Sequence, residues 1–227
     1  SLIASLKQVS NDIAHDMRLP LARMRQNLER AILAHAPSDT MHEQVEFAIE
    51  DLDAALEIFS SLLKLAQLES GAWKNEMELL DPAQLLKSVL EPYRSVIDDH
   101  GQYLATEIIP ACPTITGHSV LLRQAFSNLI ENAIRHTPGQ TTVSATLTSS
   151  DNSIHVEIAD NGPGIPAEAM LRVFDRFFRL DTSRTHDGNG LGLSMVKAIV
   201  RLHAGSIILY DNNPGLRCVI KLPIKIQ

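Results

Sequence analysis

The sequence predicts an all-α helical hairpin, able to pair into a dimeric four-helix bundle, followed by an α+β two-layer sandwich. Two observations carry this. Residues 1–72 hold two apolar stripes at steps of three and four, with Pro20 and Pro37 as their only prolines and no glycine before Gly71. From Trp73 onward, short strand-like and helix-like segments alternate between Gly, Pro and Asn turns. The expected domains are therefore 1–72 and 73–227.

In the first stripe Leu2, Leu6, Val9, Ile13, Met17, Leu21, Met24, Leu28 and Ala31 recur on one helix face. Ala36 to Asp39 interrupts it as a short loop. The second stripe is Val45, Ile49, Leu52, Leu56, Phe59, Leu63 and Ala66, whose alternating steps of four and three are heptad spacing. Ala48, Ala55 and Leu62 widen it. A lone hairpin cannot bury both stripes, so a homodimer through residues 1–70 is expected.

Asp81-Pro82 predicts a helix to about Asp99, with Asp81 as N-cap and Pro82 in the first turn. Gln102 to Ile109 reads as a strand and Gly117 to His136 as a helix that Pro138-Gly139 ends. Thr141 to Thr148 and Ile154 to Ala159 read as strands around a polar turn at Ser149 to Ser153. Asn161 to Gly188 is a long Gly-rich and charged loop with a short Phe-bearing helix inside, and loops of that length are usually functional. Leu191 to His203 is a helix, with closing strands at Ser206 to Tyr210 and Leu216 to Leu222.

Composition narrows the function. At 44% apolar and 21% charged, the 227 residues describe an ordinary globular chain, not a disordered or collagen-like one. A net charge of −7 without a Lys/Arg cluster argues against nucleic acid as a partner. No apolar run reaches the roughly 18 residues of a membrane-spanning helix, and no leader is visible. Cys112 and Cys218 lack metal-ligand spacing and read as buried free thiols suited to a reducing cytosol.

Four segments carry chemistry. His15 lies about 200° from Ile13 and Met17, off the apolar seam, and so points outward. Asp16 beside it could accept the ring proton and sharpen the other nitrogen as a nucleophile. Taken alone, the pair reads more simply as a surface His next to a surface Asp. Asn128, Asn132, Arg135 and His136 share one helix face, opposite Leu122, Phe126, Leu129, Ile130 and Ala133. Two carboxamides and a cation suit a Mg²⁺-bound polyphosphate, because Mg²⁺ prefers oxygen ligands; a plain polar face is the other reading. Asp160-Asn161-Gly162-Pro163-Gly164-Ile165-Pro166 follows a strand, and Asp160 at the strand end could accept from an exocyclic amine; taken alone, the run is an ordinary turn. Gly188-Asn189-Gly190-Leu191-Gly192-Leu193 opens a helix whose N-terminal N–H groups suit an anion. It is neither a dinucleotide fingerprint nor a P-loop, since no βαβ unit precedes it and no Lys-Ser/Thr follows.

In their order and spacing these segments resemble the boxes of the sensor histidine kinases of two-component signalling, in the class whose dimerisation hairpin precedes a Bergerat-type ATP-binding domain. His15 to Leu21 resembles the H box, Asn128 to Pro138 the N box, and Asp160 to Pro166 the G1 box. Phe174-Asp175-Arg176-Phe177-Phe178-Arg179 resembles the F box and Gly188 to Gly192 the G2 box.

The resemblance implies a protein-histidine kinase using ATP and Mg²⁺. His15 would be the phosphoacceptor and Asp16 its proton acceptor. Asn132 would hold the metal, Asn128 and Arg135 would line the phosphates, and His136 would sit near adenine or ribose. Asp160 would take the adenine amine. Gly162, Gly164, Gly188, Gly190, Leu191 and Gly192 would shape the ATP lid, with Phe174, Phe177 and Phe178 packing it. Related ATPases carry Glu where Asn128 stands, and a carboxamide cannot activate water, which favours a kinase. A response-regulator receiver domain would be the partner. Family members of this kind carry upstream, often membrane-spanning, sensing segments, so a cytoplasmic piece of an inner-membrane sensor is expected. The residue four after the His is commonly Thr or Asn in the family and serves dephosphorylation of the regulator; here it is Leu19, which implies weak phosphatase activity.

Overall fold

A computed structural model describes residues 25, 26, 28, 29, 38–70, 73, 76–150, 152–180 and 189–224, with backbone alone for 38–44 and 70. The chain divides into two compact units, Ser1–Ser70 and Gly71–Gln227. Of the expected first stripe only Leu28 is among the described residues; it is helical and exposed.

In the first unit, α1 spans Ser38–Ser70. It begins two residues inside the loop expected at Ala36 to Asp39, because Ser38 and Asp39 directly after Pro37 suit a helix start. Its apolar side is split. Ala48, Ala55, Leu62, Leu65 and Leu68 are buried, whereas the heptad residues Val45, Ile49, Leu52, Leu56, Phe59 and Leu63 are exposed, from 38% at Phe59 to 53% at Ile49. Within one chain, then, the positions that widen the stripe are covered, whereas its heptad line is exposed from Val45 to Leu63 and half-buried at Ala66.

The second unit runs β1 (Glu78–Leu80), α2 (Pro82–Asp99), β2 (Tyr103–Ile108), β3 (Ile115–Gly117), α3 (Ser119–His136), β4 (Thr142–Ser150), β5 (Ser153–Asp160), α4 (Ala167–Met170), α5 (Gly192–Leu202), β6 (Ser206–Asp211) and β7 (Leu216–Pro223). The five-stranded sheet has the order β2-β4-β5-β7-β6. β2 is parallel to β4 and the other pairs are antiparallel. β1 and β3 form a separate two-stranded ladder that the sequence pattern did not predict, since three residues are too few to show alternation.

Alternation along the long strands builds the core. Leu147, Val156 and Ile220 stand opposite one another across β4, β5 and β7, as do Ala145, Ile158 and Cys218. All six are buried, as are Leu122, Phe126, Leu129 and Ile130 of α3, Leu86 and Leu90 of α2, and Val196 and Ile199 of α5. α3 lies between α2 and α5, so the sheet and a three-helix layer make an α+β sandwich. Of the two thiols expected to be buried, Cys218 is buried and Cys112 only half-buried.

Local signals fix the elements. Asp81 accepts from the N–H groups of Ala83 (2.8 Å) and Gln84 (3.2 Å), the cap its position predicts. The β4–β5 ladder continues to Ser150 opposite Ser153, so the polar stretch expected as a turn is mostly strand. The expected Phe-bearing helix is corrected. α4 ends at Met170, before Phe174, Phe177 and Phe178, and Phe177 has φ +61°, which no right-handed helix accepts.

Candidate active site

The N-terminus of α5 and the middle of α3 meet at two carboxamides. Asn128 Nδ2 donates to the carbonyl of Gly192 at 3.3 Å. One turn on, Asn132 faces the Gly192 Cα, where a methyl would lie 3.8 Å from Nδ2 and 3.9 Å from Oδ1. Asn128 and Asn132 are half-buried, whereas Arg135 and His136 lie on the exposed last turn of α3. Among the described residues no side chain caps the first turn of α5, which leaves its N–H groups and positive dipole end for an anion. Leu191 is buried, and Asn189 Oδ1 accepts from its N–H at 3.2 Å, shaping the turn into the helix.

The neighbouring loop is locked onto this turn. The N–H of Phe177 donates to the carbonyl of Gly190 at 2.9 Å. Gly190 has φ +66°, and a methyl there would lie 2.8 Å from the Phe177 Cα, so only glycine fits. Lys197 of α5 sits over the Phe174 ring at 5.3 Å and Arg172 over the Phe178 ring at 4.9 Å. The Phe174 and Phe178 rings thus each carry a cation, and Phe177 ties the loop to Gly190 through its backbone.

At the end of β5, Asp160 is 7% exposed. Its Oδ1 accepts from the N–H groups of Gly162 (2.9 Å) and Leu216 (3.3 Å), and among the described residues no hydrogen bond reaches Oδ2. Asn212 Nδ2 donates to the Asp160 carbonyl at 2.7 Å, and Asn161 Oδ1 accepts from the Thr142 N–H at 2.6 Å. Gly164 faces the Gly215 carbonyl, drawing the loop after β5 against the turn between β6 and β7. Burial raises the Asp160 carboxyl above its ordinary 3.8, and the two N–H bonds only partly offset that. A raised folded-state value means that the stabilising contribution is present below 3.8 and lost as pH rises through the folded value, so ionised Asp160 costs stability at neutral pH. Asp160→Asn, whose oxygen keeps both N–H bonds, should melt higher than the wild type at pH 7, with the gap closing toward acid pH in a thermal-melt series.

Asn128, Asn132, Gly190, Leu191 and Gly192 thus form one group, and Asp160, Gly162 and Gly164 a second, both on the second unit. His15, Asp16, Leu19 and Gly188 lie outside the described residues. Sequence reasoning missed Asn212, Gly215 and Thr137, whose methyl touches Gly162; the Asn212-Asn213-Pro214-Gly215 run was the available sign of a built turn.

Residues 117–226 match the family model of the histidine kinase-, DNA gyrase B- and HSP90-like ATPases. The sensor histidine kinase CusS of Escherichia coli K12 is 31% identical over 216 residues, which cover 94% of this chain and 45% of CusS. The solved mycobacterial sensor histidine kinase MprB is 31% identical, with a TM-score of 0.57 over 65% of this chain and 97% of that one. The chain belongs to the sensor histidine kinases. A histidine kinase ThkA, solved with the response regulator TrrA, has a TM-score of 0.75 at 18% identity, covering 98% of this chain and 63% of that one, a likeness of fold. The chain spans about 44–45% of the CusS relatives that it matches. Among the described residues no helix is long and apolar enough to cross a membrane. The second unit is the ATP-binding sandwich of the sensor histidine kinases.

Both groups suit a nucleotide. The first offers two carboxamides and an uncapped helix end to phosphates, and the second offers a buried carboxylate oxygen to an amine. Asn132 suits a Mg²⁺ carried by the phosphates, because Mg²⁺ keeps most of its shell as water and phosphate oxygen and needs few protein ligands. Among the described residues there is no cluster of three His, Cys, Asp or Glu that would hold a metal alone.

Proposed function

We propose that this chain is the kinase core of a two-component sensor, transferring the γ-phosphoryl group of Mg-ATP to His15 and then to an aspartate of a response regulator. The observation that carries it is the pairing of Asn128 and Asn132 with the N-terminus of α5, together with a buried Asp160 on the same unit; among the described residues no side chain caps that helix end and no hydrogen bond reaches the second Asp160 oxygen. In this reading Asp160 accepts from the adenine amine and His136 lies near the adenine or ribose. Asn128, Arg135 and the Gly190–Gly192 turn face the phosphates. Bound Mg²⁺ would supply charge neutralisation at Asn132. Asp16 accepts the proton that His15 loses on attack. Such transfer needs position and charge more than covalent help. Incubation with γ-labelled ATP should give phosphate on the chain that acid releases and alkali does not; free phosphate alone would indicate an ATPase. Asp160→Asn should weaken ATP binding, because its oxygen stays with Gly162 and Leu216 and its NH₂ meets the adenine amine donor to donor.

The regulator as partner is supported by the complex of ThkA with TrrA. In a membrane-anchored sensor these residues would work on the cytoplasmic side.

The homodimer is supported by the exposed heptad line of α1, since long contiguous apolar surface is uncommon on monomers. Leu56, 52% exposed, would sit in that seam. Leu56→Glu should convert a sedimenting dimer into a monomer at micromolar concentration, and an unshifted dimer would remove this seam.

Leu19 leads to a kinase that dephosphorylates its regulator poorly, because an aliphatic side chain cannot orient a water. The decay of phosphorylated regulator in the presence of ADP should be slow with the wild type and faster with Leu19→Thr. Equal rates would separate dephosphorylation from this position.

A further inference from the structure

We infer that Gln102 is a positioning residue for the adenine end of the nucleotide site, acting through Thr137 and Gly162 on Asp160. The inference rests on the adenine reading of Asp160 given above. Gln102 stands just before β2, far in sequence from any box, and is 3% exposed. Its Nε2 faces the carbonyls of Ile134 (3.0 Å) and Thr137 (2.9 Å) and the Thr137 hydroxyl (2.8 Å). Such an acceptor set requires the amide nitrogen on this side, and among the described residues the buried Oε1 has no partner. No glycine closes α3: its C-cap is Thr137 at φ −119° and ψ 140°. Two of the last four carbonyls of the helix are instead satisfied by side chains, Ile134 by Gln102 and Ala133 by the Thr137 hydroxyl at 2.7 Å. Thr141 joins them, its hydroxyl 3.1 Å from that of Thr137 and 2.6 Å from the Pro138 carbonyl.

This network reaches the site by contact. The Thr137 methyl packs against Gly162 so closely that a methyl on Gly162 would lie 2.4 Å from Thr137 Cγ2. The N–H of Gly162 in turn holds Asp160 Oδ1. The same turn of α3 carries Arg135 and His136. Gln102 therefore sets where α3 stops, Thr137 sets how near Gly162 comes, and Gly162 aims the carboxylate. The residue touches no nucleotide itself.

The test compares ATP with inosine triphosphate, which carries a carbonyl where adenine carries the amine. A Gln102 that only stabilised the helix end would, when replaced, weaken both nucleotides alike. In the full chain with Mg²⁺, Gln102→Met fills the space but cannot donate. It should bind ATP about tenfold more weakly while inosine triphosphate changes little, so the preference for ATP collapses. Thr137→Ser keeps the hydroxyl and removes the methyl against Gly162; it should lower the same preference by a smaller factor without a large fall in melting temperature. An unchanged preference in both variants would overturn the proposal. If Gln102→Met gives no cooperative melt, Thr137→Ser alone decides in the same way. A wild type that bound the two nucleotides equally would remove the adenine reading of Asp160, and the role of Gln102 with it.

Discussion

His15→Gln should carry no acid-labile phosphate after incubation with Mg-ATP, while its affinity for ATP stays that of the wild type. The amide nitrogen of Gln has its lone pair delocalised into the carbonyl and cannot attack phosphorus as an imidazole nitrogen does. The loss should therefore be complete within detection. ATP affinity should not move, because Asn128, Asn132, Asp160 and the Gly190–Gly192 turn all belong to the unit Gly71–Gln227, whereas His15 belongs to Ser1–Ser70. Labelling measures the first half and calorimetric titration the second. Label retained on His15→Gln would move the acceptor elsewhere; ATP affinity lost with it would mean that the two units share the nucleotide site.

The parts legible in sequence were those whose cause is local. Asp81-Pro82 marks a helix start because the cap and the fixed φ act within one turn, and α2 begins there. The apolar face read for α3 is the buried one. Glycine-rich runs marked the two turns where the backbone closes on itself, at Gly164 and Gly190. What stayed hidden is non-local. The parallel pairing of β2 with β4 joins Tyr103 to Thr142 without a turn between them to announce it. Gln102 meets Thr137 at a separation of 35 residues, and no periodicity encodes that contact. The misplaced Phe helix has a specific cause: Phe-Asp-Arg-Phe-Phe has helical spacing, but its fourth residue, Phe177, is left-handed where its N–H meets the Gly190 carbonyl. The heptad line of α1 is a pattern of sequence, and a pattern does not say which side of a helix its own chain covers.

Asn132→Ala should abolish the dependence of ATP affinity on Mg²⁺ and leave the fold intact. Asn132 is half-buried on α3, and among the described residues its carboxamide makes no hydrogen bond that would be left broken. Alanine is the strongest helix former and gains roughly half a kcal/mol over Asn in a helix interior, so the melting temperature should hold or rise slightly. Asn128 differs, because its Nδ2 holds the Gly192 carbonyl and its removal would loosen the start of α5 as well. Position 132 therefore isolates the ligand role. ATP affinity measured with Mg²⁺ and with EDTA should differ strongly in the wild type and by less than about twofold in the variant, since in the proposed site the cation would take few protein ligands and Asn132 would be the one supplied by α3. A variant as sensitive to EDTA as the wild type would place the metal away from α3. A variant that lost all ATP affinity, with EDTA as well as with Mg²⁺, would make Asn132 a contact to the nucleotide itself.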